Sequence, residues 1–170
     1  NYLDEASRKN LVSFLATQYR LKELVLLGTS LRCLFQHNDI VCNFSLNKLH
    51  LDNGIGKNSE NCNWNVTAFL RQHEESLQSI EISGPHNEFI SSYVLSSNFV
   101  NLHSFALDVR GLPKDEIFYE IFENQPPNYH LQNLKLCGFF FQRQNVKRIL
   151  LKYPVIRNLE LIDWGNESLA

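Results

Sequence analysis

The stretch Leu131-Gln-Asn-Leu134-Lys-Leu136 decides the fold, because the chain repeats its pattern six times. Each copy reads apolar, two mostly polar residues, apolar, one variable residue, apolar. The last two apolar positions alternate with their neighbours as a strand with one buried face does. Six copies in order are hard to obtain by chance. With Leu131 included, the six copies begin at intervals of 25 to 31 residues, at Leu21, Leu46, Leu77, Leu102, Leu131 and Ile156.

A period in the twenties built on L-x-x-L-x-L is the signature of a leucine-rich repeat. Each copy follows a segment that has, or is compatible with, helical periodicity. We therefore predict an α/β fold, a leucine-rich-repeat solenoid of about six irregular repeats with a parallel sheet on the concave side and helices on the convex side. Residues 1–170 are expected to form this single domain, as a piece of a longer chain.

Helical periodicity predicts helices over about 6–19, 65–76, 87–96, 114–124 and 142–153, the second of them capped by Asn65. Their predicted core faces are Leu11, Phe14 and Leu15; Val66, Phe69, Leu70 and His73; Phe89 or Ile90 with Tyr93 and Val94; Ile117, Phe118, Ile121 and Phe122; and Val146, Ile149, Leu150 and Tyr153. The polar run Asp52–Asn63 is expected to be a loop, and Leu31, Leu34 and Phe35 are expected to give two helical turns. The last two apolar positions of every copy are predicted to be buried. They are Leu24, Leu26, Leu49, Leu51, Ile80, Ile82, Phe105, Leu107, Leu134, Leu136, Leu159 and Leu161.

Composition argues against two classes of partner. A net charge of −2 and a pI near 6.3 lack the basic excess that a nucleic acid or an anionic membrane surface requires. No segment approaches the roughly 18 consecutive apolar residues of a membrane span. We expect neither nucleic acid nor membrane as a partner.

Cysteine usage favours a reducing compartment. Cys33, Cys42, Cys62 and Cys137 form no C-x-x-C pair and no zinc spacing. Free, buried thiols are therefore expected, in a cytoplasmic or nuclear protein. Against this stand three N-x-S/T sequons, a number close to what the abundance of Asn and Ser produces by chance. They lie at Asn43, Asn65 and Asn166.

No catalytic, metal-binding or cofactor-binding constellation is visible. The six histidines are dispersed and fit no metal-ligand spacing. His73 falls on the apolar face of a predicted helix, where a structural role is expected. Gly54-Ile-Gly56 is too short a pattern for a phosphate-binding loop. We therefore expect no enzyme and no cofactor.

The predicted concave surface is broad and mixed in charge. In each copy, the residues on either side of the fourth position should face solvent. Turns after the last two strands add aromatic residues that could form a contact patch on the adjoining rim. At least one phenylalanine of Phe139–Phe141 should instead fill the core. The predicted partner-binding residues are Lys135, Phe139, Phe140, Glu160, Asp163 and Trp164.

The phrase Ile149-Leu-Leu-Lys-Tyr-Pro-Val-Ile-Arg-Asn-Leu-Glu-Leu161 resembles the ribonuclease-inhibitor-like repeats of F-box/leucine-rich-repeat proteins. In those repeats a helix ending in LL-x-x-x-P leads directly into L-x-x-L-x-L. Asn65–Ile82 and Asn10–Leu26 have the same order. The resemblance implies the substrate-binding arc of a receptor in a cullin-based ubiquitin ligase. Its partners would be a protein substrate and, through an F-box that residues 1–170 lack, an adaptor subunit.

Two departures from that family weaken the resemblance. The first is that residues 1–170 contain no F-box. The second is that the turn position three residues after the last strand leucine, which is often Asn or Cys in leucine-rich repeats, holds other residues here. Two alternatives therefore stay open, a leucine-rich-repeat scaffold or inhibitor outside ubiquitination and an extracellular recognition domain. The turn position is occupied by Thr29, Gly54, Pro85, Arg110, Phe139 and Trp164.

Overall fold

Six parallel strands form one sheet whose order follows the chain from first to last. The computed structural model describes residues 4–27, 40–52, 60–84, 88–96, 99–109, 121–122, 125–139 and 143–162. The strands are β1 Glu23–Leu26, β2 Lys48–Asp52, β3 Ser79–Ser83, β4 Ser104–Asp108, β5 Asn133–Cys137 and β6 Asn158–Ile162. The helices bounded within these ranges are α1 Glu5–Ala16, α2 Glu60–Arg71, α3 Glu88–Ser96 and α4 Arg143–Lys152. The predicted α/β class with a parallel sheet is confirmed.

Neighbouring strands pair in the same register throughout, so equivalent residues of the six copies stand side by side. Leu134, for example, lies between Phe105 of β4 and Leu159 of β6. Because side chains alternate along a strand, this register collects the apolar positions on one face. They join the helices in one hydrophobic core.

The prediction that all twelve strand positions are buried is right for nine and wrong for three. Leu24, Leu159 and Leu161 are only partly buried, packing against the rim of the core. All three lie on β1 or β6, the edge strands of the described sheet. A side chain on an edge strand has a neighbouring strand on one side only, and therefore remains partly accessible.

Helix α1 is shorter than its pattern indicated. Its N-cap is Asp4, whose Oδ1 accepts a hydrogen bond from the Ser7 amide at 2.7 Å. The helix ends at Ala16, where we predicted 19. Leu15 is buried as expected, whereas Phe14, assigned to the same stripe, is 59% exposed.

Helix α2 begins earlier than predicted. It starts at Glu60 and includes the last four residues of the expected loop, so Asn65 lies inside the helix and is not its N-cap. Its core face is confirmed, since Val66, Phe69 and Leu70 are buried. The asparagines of this run are only mildly unfavourable in a helix, and burial of the apolar face outweighs that cost.

The remaining helices follow their patterns with smaller departures. In α3, Ile90 and Val94 are buried and Phe89 is 41% exposed. In α4, Ile149 is buried but Leu150, predicted on the same face, is 49% exposed. Of the helix predicted over 114–124, the structure describes Ile121 and Phe122, both helical and buried. The turns predicted around Leu31, Leu34 and Phe35 lie outside the described residues.

Successive units are tied together where their helices end. The last backbone carbonyls of a helix have no hydrogen-bond donor within the helix. In three units a side chain about 26 residues later in the sequence donates a hydrogen bond to a carbonyl in this region. Asn43 Nδ2 donates to the Ala16 carbonyl at 2.7 Å, and Asn101 Nδ2 to that of Glu75 at 2.6 Å. Lys152 Nζ donates to the Gln125 carbonyl at 2.8 Å. Two of these contacts are exposed and the one from Lys152 is half-buried, and each links one unit to the next.

The chain leaves two strands through glycine. Gly84 after β3 and Gly138 after β5 have φ of 106° and 86°, a region in which a Cβ atom is disfavoured. The Gly84 amide donates to the Asp108 carbonyl, and the Gly138 amide to that of Ile162, both at 3.0 Å. The turn glycines therefore extend the sheet hydrogen bonding by one residue.

His73 occupies the core without a polar partner. It is 1% exposed, stacks on Phe44 with ring centroids 5.4 Å apart, and meets the Phe69 ring edge-on. Neither ring nitrogen has a hydrogen-bond partner. Burial lowers the pKa of His73 to about 4, so the ring is neutral at pH 7. The structural role expected for His73 agrees with this environment.

We predict that Leu134→Ala lowers the free energy of unfolding by about 2–5 kcal/mol, because it leaves a cavity in the middle of the sheet. The matched control is Leu159→Ala, the same change at the same repeat position on edge strand β6. Its cost should be clearly smaller, since Leu159 is only partly buried. Urea unfolding of both variants measures the difference, and equal losses would contradict the assigned core.

We predict that stability falls as pH drops from about 6.5 towards 4. In that interval the unfolded His73 binds a proton that the folded ring, with its pKa of about 4, does not bind. The loss should reach on the order of 3 kcal/mol. Urea unfolding at pH 7.5 and 4.5 measures it, with His73→Phe as the control that preserves an aromatic ring. A variant that retained the full pH dependence would contradict the assignment.

Candidate functional site

The sheet has one face that the described helices leave accessible, and we call it the open face. It consists of the first, third and fifth residues of the strands. Residues at these positions alternate with the positions of the core, and all are exposed or partly exposed except Ser83 and Cys137, which are buried. The members of the open face are Glu23, Val25, Lys48, His50, Asp52, Ser79, Glu81, Ser83, Ser104, Ala106, Asp108, Asn133, Lys135, Cys137, Asn158, Glu160 and Ile162.

Solvent exposure of the predicted concave residues is confirmed. All twelve, the first and third residues of each strand, are exposed or partly exposed. Strands β2 to β6 also include a fifth residue that the sequence pattern did not place in them. In β2 and β4 that residue is a carboxylate, Asp52 and Asp108. The open face is therefore more acidic than the sequence analysis indicated.

Both lysines of the open face are held by carboxylates of neighbouring strands. Lys48 Nζ lies 2.8 Å from Glu23 Oε1, and Lys135 Nζ lies 3.1 Å from Glu160 Oε1. The bond to Glu160 raises the pKa of Lys135. These ion pairs occupy the two ends of the sheet, between β1 and β2 and between β5 and β6.

Connected polar side chains join β2 and β3 on the open face. His50 Nε2 lies 3.3 Å from Ser83 Oγ, which donates a hydrogen bond to Asp52 Oδ1 at 3.1 Å. His50 Nδ1 lies 3.9 Å from Glu81 Oε2. Residues more than 30 positions apart therefore form one group, which no local motif in the sequence could reveal.

Ser83, His50 and Glu81 share the residue types of a hydrolytic triad but not its geometry. The Ser83 proton goes to Asp52, so the hydroxyl oxygen accepts from the Nε2–H tautomer of His50, the reverse of what a general base requires. The 3.9 Å between His50 and Glu81 exceeds a hydrogen bond. Ser83 is 7% exposed, and the next amide, of Gly84, is bonded within the sheet. This arrangement does not support acyl transfer.

A shallow recess lies over Ala106 near the centre of the open face. Ala106 stands in register between Glu81 of β3 and Lys135 of β5, where a longer side chain would fill the gap. The recess has a volume of about 30 Å³, enough for one or two water-sized groups. Its lining residues are Glu81, Ala106, Leu107, Asp108, Lys135 and Cys137.

The predicted partner-binding residues have different outcomes. Lys135 and Glu160 lie on the open face and pair with each other. Phe139 was wrongly predicted to be a contact residue, because it is fully buried, with its ring 6.1 Å from that of Phe122. This burial confirms that at least one of the three phenylalanines fills the core. Phe140, Asp163 and Trp164 lie outside the described residues, and their role stays a prediction.

A cavity of mixed polarity that the sequence analysis missed lies among the loops leading into β4 and β5. Its volume is about 160 Å³, and its lining includes Phe99, Pro126, Pro127 and Tyr129. Tyr129 is 64% exposed. The cavity is about half the size of the smallest typical small-molecule pocket.

Burial shields the two cysteines whose side chains the structure describes. Cys42 is partly buried and Cys137 buried, and neither forms a disulfide. Burial raises the pKa of Cys42 to about 11, so very little thiolate is present at neutral pH. In the described ranges, no three His, Cys, Asp or Glu side chains come close enough to hold a metal ion. None of the helices described there is long and apolar enough to cross a membrane.

Comparisons with family models, with curated proteins and with solved structures find no match for this chain. The resemblance to F-box/leucine-rich-repeat proteins therefore stays an expectation from the repeat phrases.

We predict that a fluorophosphonate probe does not label Ser83 at pH 8, because its hydroxyl is buried and its proton is held by Asp52. Peptide mass spectrometry after several hours of reaction is the measurement, with a serine protease in the same buffer as the positive control. Stoichiometric labelling at Ser83 would contradict the geometric argument and support a hydrolase.

Proposed function

We propose that this chain recognises another protein through the open face of its sheet. The observation that carries the proposal is the register of the six strands, which sets residues from all six copies side by side on one accessible surface. Polar, charged and small side chains alternate there, a composition suited to contacts made one side chain at a time.

The dimensions of this surface favour an extended segment over a small ligand. Six strands at a spacing of about 4.8 Å span about 24 Å, a distance that about seven extended residues cover. The two cavities described above, of about 30 and 160 Å³, are smaller than the roughly 300–1,000 Å³ of ligand pockets. A peptide-like segment lying across the strands uses the surface better than a compact ligand would.

The narrower proposal is a leucine-rich-repeat arc that selects substrates for a cullin-based ubiquitin ligase. It rests on the repeat phrases and their resemblance to F-box/leucine-rich-repeat proteins, and the chain-order parallel sheet is compatible with it. Co-purification of the natural protein with the ligase adaptor is the measurement that separates this role from a scaffold outside ubiquitination.

We infer a cytoplasmic or nuclear location from the state of the thiols and of one sequon. Cys42 and Cys137 are free, which favours a reducing compartment. Asn43 Nδ2 already donates to the Ala16 carbonyl at 2.7 Å. A glycan attached to that nitrogen would compete with a contact that links two units, so glycosylation at this sequon is disfavoured.

We predict that a photoreactive residue on the open face captures the protein partner. p-Benzoylphenylalanine at Ser104 or at Asn133 should crosslink the same protein in a cell extract, because both positions lie in the proposed contact surface. The control position is Lys147, exposed on α4. Mass spectrometry identifies the crosslinked species. Equal capture of that protein from Lys147, or none from the open face, would contradict the proposal.

A further inference from the structure

The charges of the open face are unevenly distributed across the sheet. Its two lysines are paired with carboxylates at the two ends of the sheet. In the centre stand Asp52, Glu81 and Asp108, and the sequences of β3 and β4 contain no lysine or arginine. The described open face carries five carboxylates and two lysines, so its own side chains give it a net negative charge, and the excess lies between the two flanking ion pairs.

The recess over Ala106 lies within this acidic centre. Ala106, Leu107 and Cys137 contribute weakly polar lining, whereas Glu81, Asp108 and Lys135 are its charged lining residues. The Glu81 side chain is 55% exposed and lies 3.9 Å from His50 Nδ1, and it also attracts the Lys135 ammonium group electrostatically. Lys135 also borders the recess, but its ammonium group lies against Glu160 at 3.1 Å.

A lysine or arginine side chain matches this combination. Its methylene stem can lie on the apolar surface while its cationic group reaches the carboxylates. A guanidinium can in addition bind a carboxylate through two parallel hydrogen bonds. An acidic or purely apolar side chain would meet the Glu81 carboxylate without compensation.

We propose that the open face binds an extended segment of a partner protein whose lysine or arginine side chain lies over Ala106, with its cationic group at the shallow recess there, and pairs with Glu81. This inference rests on the proposed function and deepens it by naming the chemistry of the partner. Asp108 and Asp52 add to the attraction through their charge. On either side of this centre, the ion pairs Lys48–Glu23 and Lys135–Glu160 offer polar groups that the rest of the segment can contact.

The test uses random 12-residue peptides displayed on phage and selected on the natural chain. Selected peptides are synthesised with a fluorophore, and their affinities are measured by fluorescence polarisation. Three variants separate charge from shape. Glu81→Gln removes the charge at constant size, Glu81→Lys reverses it, and Ala106→Trp fills the recess without changing charge. Lys147→Gln on α4 is the control away from the open face.

We expect the selected peptides to share a lysine or arginine at one fixed position. Glu81→Gln should weaken their binding by about tenfold and Glu81→Lys by more. Ala106→Trp should abolish binding, Lys147→Gln should not change it, and added salt should weaken it. When the shared arginine of the peptide is replaced by citrulline, the natural chain and the Glu81→Gln variant should bind the peptide with the same affinity.

Two contrary results are distinguishable. One is that Ala106→Trp prevents binding of the peptides, but the peptides share no basic residue or bind Glu81→Gln unchanged. That result would overturn the proposed lysine or arginine contact and leave recognition through the open face standing. Peptides that bind the Ala106→Trp variant normally, or a selection that yields no peptide sensitive to the open face, would overturn both this inference and the proposed function.

Discussion

In-register pairing of parallel strands is the constraint on which the rest of the structure depends. A strand shifted by one residue would turn its buried leucines towards solvent and its polar residues towards the helices. The apolar rows through Leu134 and Leu136 oppose such a shift at every strand boundary. The same register that builds the core therefore also orders the open face, and residues 25 to 31 positions apart in the chain become neighbours there.

The ends of the helices impose a second condition, because their carbonyls must be satisfied if successive units are to pack closely. Asn43, Asn101 and Lys152 meet it with side-chain donors that reach back one unit. Leucine-rich repeats often carry an asparagine in the turn after each strand, and none stands at that position in the six copies of this chain. The contacts at the helix ends offer a physical reason why an irregular turn sequence is tolerated.

The strands were predictable from the sequence because their pattern is short, repeated and apolar, whereas the helix boundaries were not. Asn65 looked like an N-cap because Asp52–Asn63 is polar, yet α2 begins at Glu60. The site was predictable only in part. Lys135 and Glu160 follow from strand alternation. The group formed by His50, Ser83 and Asp52 depends on pairing across strands, and the burial of Phe139 depends on contacts with Phe122, neither of which a local pattern contains.

The most direct test of the account is whether equivalent residues of successive copies are neighbours on the open face. Cysteines replacing Ser79 and Ser104 face each other across β3 and β4, at the roughly 4.8 Å strand spacing that a disulfide can bridge. Cysteines replacing Ser79 and Asn133 are two strands apart, about 10 Å, which exceeds the reach of a disulfide. With the natural cysteines replaced, mild oxidation followed by peptide mapping should show a disulfide in the first pair and none in the second. A disulfide in the second pair, or none in the first, would contradict the sheet order and the surface built on it.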